Sequence, residues 1–147
     1  MYNPIALPGN IVALAARGGP DGAGAEVSLI CVHDGRIGDP VTWAGQAGAE
    51  SRAAFAAVAD DIRAHLGDGV VAVHGTGAAL ALITAILPGW RPTAVLDTRV
   101  LLWQARREGA HIDLGPARIE RDHSTAARAR ATAALLVLVC ETAVRGA

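Results

Sequence analysis

The sequence has no lysine and few aromatic residues, and the shortage of aromatic residues limits what the chain can bind. All 13 cationic side chains among the 147 residues are arginine, against 14 carboxylates, so the formal net charge is −1. This balance argues against a general polyanion-binding surface. Aromatic residues make up only 3% of the chain, which leaves few platforms on which nucleic-acid bases can stack. The composition, rich in Ala, Gly and Arg, is typical of a bacterial genome of high GC content.

Long hydrophobic runs and a secretory leader are also missing. Hydrophobic residues make up 52% of the chain, but Arg, Asp or Gly interrupts each apolar run before it reaches the length that crosses a bilayer. The segment Met1 to Ile5 has no basic region ahead of a hydrophobic stretch. We therefore expect a cytoplasmic protein with no membrane contact. Cys31 and Cys140 lie far apart in apolar segments, which predicts buried, reduced thiols and neither a disulfide nor a metal site.

The first third of the chain has the pattern of an antiparallel meander. Apolar runs predict strands at residues 11–15, 26–32 and 41–43, with a tight turn at 18–22 between the first two. The sequence Asp34-Gly35 is a hairpin signal that leads toward the third strand.

From residue 50 onward, helical and strand patterns alternate. Four apolar residues recur at steps of three and four and predict one amphipathic helix between Glu50 and Gly67: Phe55, Val58, Ile62 and Leu66. Apolar runs then predict buried strands at 70–73 and 94–96 and helices at about 78–83, 100–107 and 125–144. The order predicts a single α/β domain over residues 1–147. Its mixed five-stranded sheet has three antiparallel strands followed by parallel strands, flanked by helices.

Three segments carry motifs in a fixed order along the chain. The first is the strand from Ile11 to Arg17. The second, 55–98, has a helix, a valine-rich strand, His74, another helix and the triplet Leu-Asp-Thr. In the third, His123 is followed five residues later by Arg128. The ordered set resembles the motifs of the DEDDh-type 3′-to-5′ exonucleases, members of the ribonuclease-H-like superfamily. The resemblance covers most of the chain and implies a ribonuclease-H-like fold.

The resemblance implies four metal-binding carboxylates, and this sequence has none of them at the corresponding positions. In that family, four carboxylates hold two divalent ions and a His acts as general base. The corresponding residues here are Ala15, Arg17, Ala79 and Arg128. A guanidinium is cationic and has no lone pair to offer a metal. We therefore expect no two-metal site and no cofactor.

Three residues near these positions are candidates for catalysis: His123, His74 and Asp97. Histidine can act as an acid or a base near neutral pH. A structural role is the favoured interpretation for both histidines: His123 would cap or precede the last helix, and His74 would be hydrogen-bonded at the end of a buried strand.

Arg17 and Arg128 admit two interpretations. In the first, the positions that bind cations in the family bind an anion here, because arginine presents a planar fork suited to phosphate or carboxylate. The favoured alternative is that the two arginines pair with Asp97 or Glu120, or extend into solvent, after catalysis was lost.

Two apolar features bear on partners. Trp103 follows Arg99 by four residues and can lie on an outward helix face, although a core or oligomer-interface role is commoner for tryptophan. Residues 133–140 are apolar all round, which predicts a deeply packed helix or one shared with a second subunit. A homodimer is therefore a hypothesis to test.

Three functions remain open from the sequence. The favoured one is a catalytically degenerate exonuclease-like protein that binds a protein partner, a nucleotide or a small anion at the former active site. The second is a metal-independent enzyme acting on a small molecule. The third is a residual metal-dependent exonuclease that uses substitute carboxylates. Nucleic acid is the less favoured partner because the net charge is negative and aromatic residues are few.

Overall fold

A computed structural model describes residues 9–18, 24–46, 48–75, 77–113 and 124–145, the last five by backbone alone. The described residues form six strands: β1 (Asn10–Arg17), β2 (Glu26–His33), β3 (Arg36–Ile37), β4 (Val41–Ala44), β5 (Val70–Val73) and β6 (Ala94–Asp97). The same residues form five helices: α1 (Ser51–Ala54), α2 (Ala59–Leu66), α3 (Ala78–Ile86), α4 (Thr98–Arg107) and α5 (Thr125–Arg145). None of these helices, in the parts described, combines the length and the apolar character of a membrane span.

The sheet is mixed, as predicted, with the strand order β3-β2-β1-β5-β6. β1 pairs with β2 antiparallel along its whole length, whereas the pairs β1–β5 and β5–β6 are parallel. The parallel connections require crossovers. They run through α1, α2 and α3 on one face of the sheet, while α4 and α5 cover the other face. The carboxyl ends of β1, β5 and β6 therefore meet at one edge of the sheet.

The predicted strand count of five was one too low. Asp34 and Gly35 have φ angles of 48° and 79°, the left-handed backbone that a two-residue hairpin turn requires. The turn leads into the short strand β3, and the chain then returns along β2 as β4. Both β3 and β4 therefore occupy the outer edge of β2, where the sequence predicted only one strand.

The predicted continuous helix over residues 50–66 is also wrong. α1 ends at Ala54, and residues 55–58 form a turn in which Val58 N donates to Phe55 O at 3.0 Å. The interruption lets the fully buried Phe55 ring enter the core against Gly45. A turn whose hydrogen bonds join residues three apart rotates the chain by nearly the same angle per residue as an α-helix. The hydrophobic period therefore continues across the break and predicted one uninterrupted helix.

Two hydrophobic clusters lie on opposite faces of the sheet. The first includes Phe55, Ile62 and Ile83 from the helices between β4 and β6. The second lies under α4 and α5 and is rich in small residues: Ala13, Ala15, Ala129 and Ala133 are all buried. Small side chains on both elements let α5 approach β1 closely, as close packing requires.

The two cysteines differ from the prediction. Cys31 is exposed, so the expectation of a buried thiol is wrong there. It lies on β2, where side chains alternate between faces, and the apolar composition of the segment did not show which face was covered. Cys140 is partly buried, and desolvation raises the pKa of its thiol to about 11.

Replacing Gly45 by Ala should destabilise the fold through the Phe55 ring. A Cβ at residue 45 would lie 2.6 Å from Phe55 Cε2, and the buried ring has no free space to move into. We expect the free energy of unfolding, measured with urea, to fall by about 1–3 kcal/mol. Gly69→Ala is the matched control, because a Cβ there meets nothing within 4 Å. Equal stability losses in both variants would contradict the packing described.

Candidate functional site

A small cavity lies beyond the carboxyl ends of β1 and β5, between α3 and α5. Its volume is about 150 Å³. It is lined by Leu14, Ala15, Ala16, Val73, His74, Ala78, Ala79, Arg128 and Thr132. In open α/β sheets, ligands characteristically bind at the carboxyl ends of the strands. The fold thus brings together four of the seven residues singled out from the sequence: Ala15, His74, Ala79 and Arg128.

Arg128 supplies the positive charge of this cavity. It lies one turn into α5, where its backbone N donates to Ser124 O at 3.0 Å. Its side chain is exposed, and it makes no ion pair with any acidic residue in the described ranges. The guanidinium is therefore available to an anion that enters the cavity.

Arg17 does not line the cavity. Its guanidinium lies 3.7 Å from the Glu26 carboxylate, its partner in the β1–β2 register, and 55% of its side chain is exposed. Arg17 and Arg128, the two arginines that the sequence analysis singled out, therefore have different environments. Arg17 pairs with Glu26 and not with Asp97, and such an exposed pair adds about 0–1 kcal/mol to stability.

His74 is held by a hydrogen bond from the start of α4. Its Nδ1 lies 2.9 Å from Thr98 Oγ1, and Thr98 Oγ1 donates to Val73 O at 3.1 Å. Because a hydroxyl has one proton, His74 Nδ1 must be the donor to Thr98. In the neutral ring, Nε2 then carries a lone pair. Thr98 is fully buried, so the imidazole is anchored on one side while its other face lines the cavity.

Asp97 has structural partners. Its Oδ1 accepts from Arg99 N at 2.9 Å, which caps α4, and from Gly75 N at 3.0 Å. Gly75 has a φ of 94°, a conformation that favours glycine. The carboxylate therefore joins the end of β6 to the loop after β5. It lines a neighbouring open recess and not the cavity of His74 and Arg128.

His123 lies outside the described residues, as do Glu120 and Asp122, so its predicted role stays a prediction. The cap at the start of α5 belongs to Ser124, whose Oγ accepts from Ala127 N at 3.1 Å. A serine in this position satisfies a backbone donor that the helix leaves free.

The residues of the cavity do not fit a pair of divalent cations. Magnesium requires oxygen ligands, and no carboxylate is found among the described residues that line the cavity. Across the described part of the chain, no group of three or more His, Cys, Asp or Glu side chains could hold a metal ion. The Arg128 guanidinium would in addition repel a cation placed beside it.

Sequence reasoning missed a chain of hydroxyl groups that positions α5. Ser28 and Thr125 are fully buried. Ser28 Oγ donates to Thr125 Oγ1 at 2.9 Å, and Thr125 Oγ1 donates to a Glu26 carboxylate oxygen. Thr42 Oγ1, 2.7 Å from Ser28 Oγ, is then left as the donor to Ser28. Thr125 begins α5 and Arg128 follows it by three residues, so the hydroxyl chain also places Arg128.

Comparisons with known proteins support the fold alone. No protein-family model and no curated protein sequence matches the chain. Among solved structures, the chain is similar to exonuclease X in complex with 5′-overhanging duplex DNA, with a TM-score of 0.51 and 20% identity over 92% of each chain. The predicted fold class is thereby confirmed: the chain has a mixed α/β architecture, in which helices flank a sheet of parallel and antiparallel strands, consistent with a ribonuclease-H-like fold. Similarity of fold does not itself assign a function.

Replacing Thr98 by Val should release His74. The variant removes the hydroxyl that both anchors Nδ1 and satisfies Val73 O, so we expect a loss of about 1–3 kcal/mol in the free energy of unfolding. The ¹⁵N shifts of the His74 ring should change from a single neutral tautomer to a mixture.

Thr84→Val is the matched control for this variant. Thr84 Oγ1 also donates to a backbone carbonyl, Leu80 O at 2.7 Å, but on an exposed face of α3. The control should change stability by less than about 0.5 kcal/mol and leave the His74 spectrum unaltered. An unchanged His74 tautomer in Thr98→Val would refute the anchoring described.

Proposed function

We propose that this chain is a binding protein built on an exonuclease fold, which holds a small anion in the cavity beside Arg128. The observation that carries the proposal is the lining of that cavity. Ala15, Ala79 and Arg128 occupy the positions where the resemblance to DEDDh-type exonucleases implies carboxylates, and His74 lies with them. Such a site lacks the charge to hold metal ions and has the charge to hold an anion.

The cavity volume limits the size of the anion. At about 30 Å³ per water molecule, the 150 Å³ cavity holds the equivalent of about five waters. Pockets for drug-sized ligands have volumes of about 300–1,000 Å³. The cavity therefore suits inorganic phosphate, or the terminal phosphate or carboxylate of a ligand whose remainder lies outside.

The anchored His74 favours a second candidate function, a metal-independent enzyme. With Nδ1 bonded to Thr98, Nε2 of the neutral ring can accept a proton from a ligand held by Arg128. General acid–base catalysis requires this kind of fixed orientation within hydrogen-bond reach of the substrate. We place it second because, among the described residues of the cavity lining, Thr132 is the one polar side chain besides His74 and Arg128.

Digestion assays test the absence of two-metal catalysis. Purified protein should leave end-labelled single-stranded DNA and RNA at full length with magnesium or manganese, because the described residues offer no metal-ligand cluster. A parallel reaction with EDTA is the control. Shortening that EDTA abolishes, and that co-elutes with the protein in size-exclusion chromatography, would mean that other carboxylates hold metals.

Anion binding should depend on Arg128 and not on its neighbour Arg130. We expect isothermal titration calorimetry to detect binding of inorganic phosphate, and Arg128→Ala to weaken it by about tenfold to a hundredfold, the range for a lost charge-assisted hydrogen bond. Arg130→Ala is the matched control, because Arg130 is an exposed arginine of the same helix that does not line the cavity. Equal weakening by both variants would indicate nonspecific charge attraction and contradict the proposal.

A further inference from the structure

The outer face of α4 combines exposed apolar residues with positive charge. Val100 is 54% exposed and Trp103 is 60% exposed, and they lie one turn apart. Trp43 and Trp90, by contrast, are buried, and their indole nitrogens donate to Asp61 and Gly67. Trp103 therefore differs from the other two tryptophans, because its side chain faces outward.

The exposed tryptophan borders an open recess at the same edge of the sheet as the Arg128 cavity. The recess has a volume of about 510 Å³ and is lined by Gly75, Asp97, Arg99, Val100 and Trp103. Arg107 closes one side of the indole, with its guanidinium carbon 5.1 Å from the centre of the Trp103 ring. This cation–π contact holds the indole in place and sets a positive charge beside it.

The charge of α4 indicates the partner. Its ten residues include Arg99, Arg106 and Arg107 and no acidic residue, although the whole chain has a net charge of −1. None of the three arginines forms an ion pair with an acidic side chain in the portion of the chain that the structure describes. Tryptophan and arginine are also the residue types most enriched where protein interfaces concentrate their binding energy.

We propose that the outer face of α4 is a docking surface for an acidic segment of a partner protein. One aromatic or aliphatic side chain of that segment enters the recess against Trp103 and Val100. Its carboxylates lie near the α4 arginines, where complementary charge speeds association and selects the partner.

Two other occupants fit this surface less well. A nucleic-acid strand stacks successive bases on several aromatic side chains, and among the described residues Trp103 is the one exposed tryptophan. A second copy of the chain, related by a two-fold axis through this face, would bring two sets of arginines together, which like-charge repulsion disfavours.

The test is selection of random dodecapeptides, displayed on phage, against the immobilised full chain, with counter-selection against Trp103→Ala. Enriched peptides should be acidic and carry an aromatic or aliphatic residue.

The most enriched peptide, synthesised with a fluorescent label, should bind in an anisotropy assay and alter the emission of Trp103. Trp103→Ala should weaken this peptide by about thirtyfold or more, as expected for an interface hot spot, and Arg107→Glu should weaken it more at low salt than at high salt.

Val95→Ala is the matched control. Val95 is 42% exposed, but it neighbours Leu96 on β6, and Leu96 packs on the side of the sheet that α4 covers. Alternation along the strand therefore places Val95 on the opposite face, and its variant should bind the peptide as wild type does. Far-UV circular dichroism of each variant checks that the fold is kept.

Several outcomes would overturn the proposal. They are a selection without enrichment, enriched peptides with no excess of acidic residues, and peptides that bind Trp103→Ala as tightly as wild type.

An oligothymidine bound through Trp103 more tightly than any peptide would replace the protein partner by nucleic acid. A wild-type dimer in light scattering that Trp103→Ala dissociates would replace it by a second copy. Arg128→Ala should leave peptide affinity unchanged, so this result is independent of anion binding.

Discussion

The start of α5 is held on the sheet by hydroxyl groups that pass hydrogen bonds from the exposed Thr42 through the buried Ser28 and Thr125 to Glu26. Ser28 and Thr125 each donate one bond and accept another, so the series is polarised toward the carboxylate and its members strengthen one another. The α5 side of the core and the position of Arg128 both depend on it. In the part of the chain that is described, no buried side-chain nitrogen or oxygen lacks a partner. The helix is thereby fixed by polar groups at its start and by small apolar residues along its length.

Small residues at the junction of α5 and β1 also restrict the chemistry of the cavity. Ala15 is only 7% exposed and belongs both to the core under α5 and to the cavity wall. A carboxylate at this position would lose much of its hydration, at a cost that only a bound cation or another partner would offset. The small side chain of Ala15 thus serves both the packing of α5 on the sheet and the lining of the cavity.

The main strands and the larger helices could be predicted because each has a hydrophobic period or apolar run that is local in sequence. The order of these elements and the motifs around His74 and Asp97 were enough for the fold class. The break at Phe55 could not be predicted, because its cause is a contact with Gly45, which precedes α1. The series of hydroxyl hydrogen bonds could not be predicted either, since Ser28 and Thr125 are 97 residues apart in the sequence. For the site, four of the seven residues singled out from the sequence line one cavity. The sequence did not indicate that Arg17 pairs with Glu26 or that Asp97 caps α4, because both depend on contacts between separate elements.

Thr98 has a position that connects two regions of the molecule. It is the first residue of α4, its hydroxyl anchors His74, and His74 and Gly75 are consecutive residues that line the two neighbouring recesses. A change in the hydrogen bond between His74 and Thr98 therefore acts on the first residue of α4. If a ligand in the cavity and a ligand on α4 both alter that bond, thermodynamic linkage requires each of them to change the affinity of the other by the same factor.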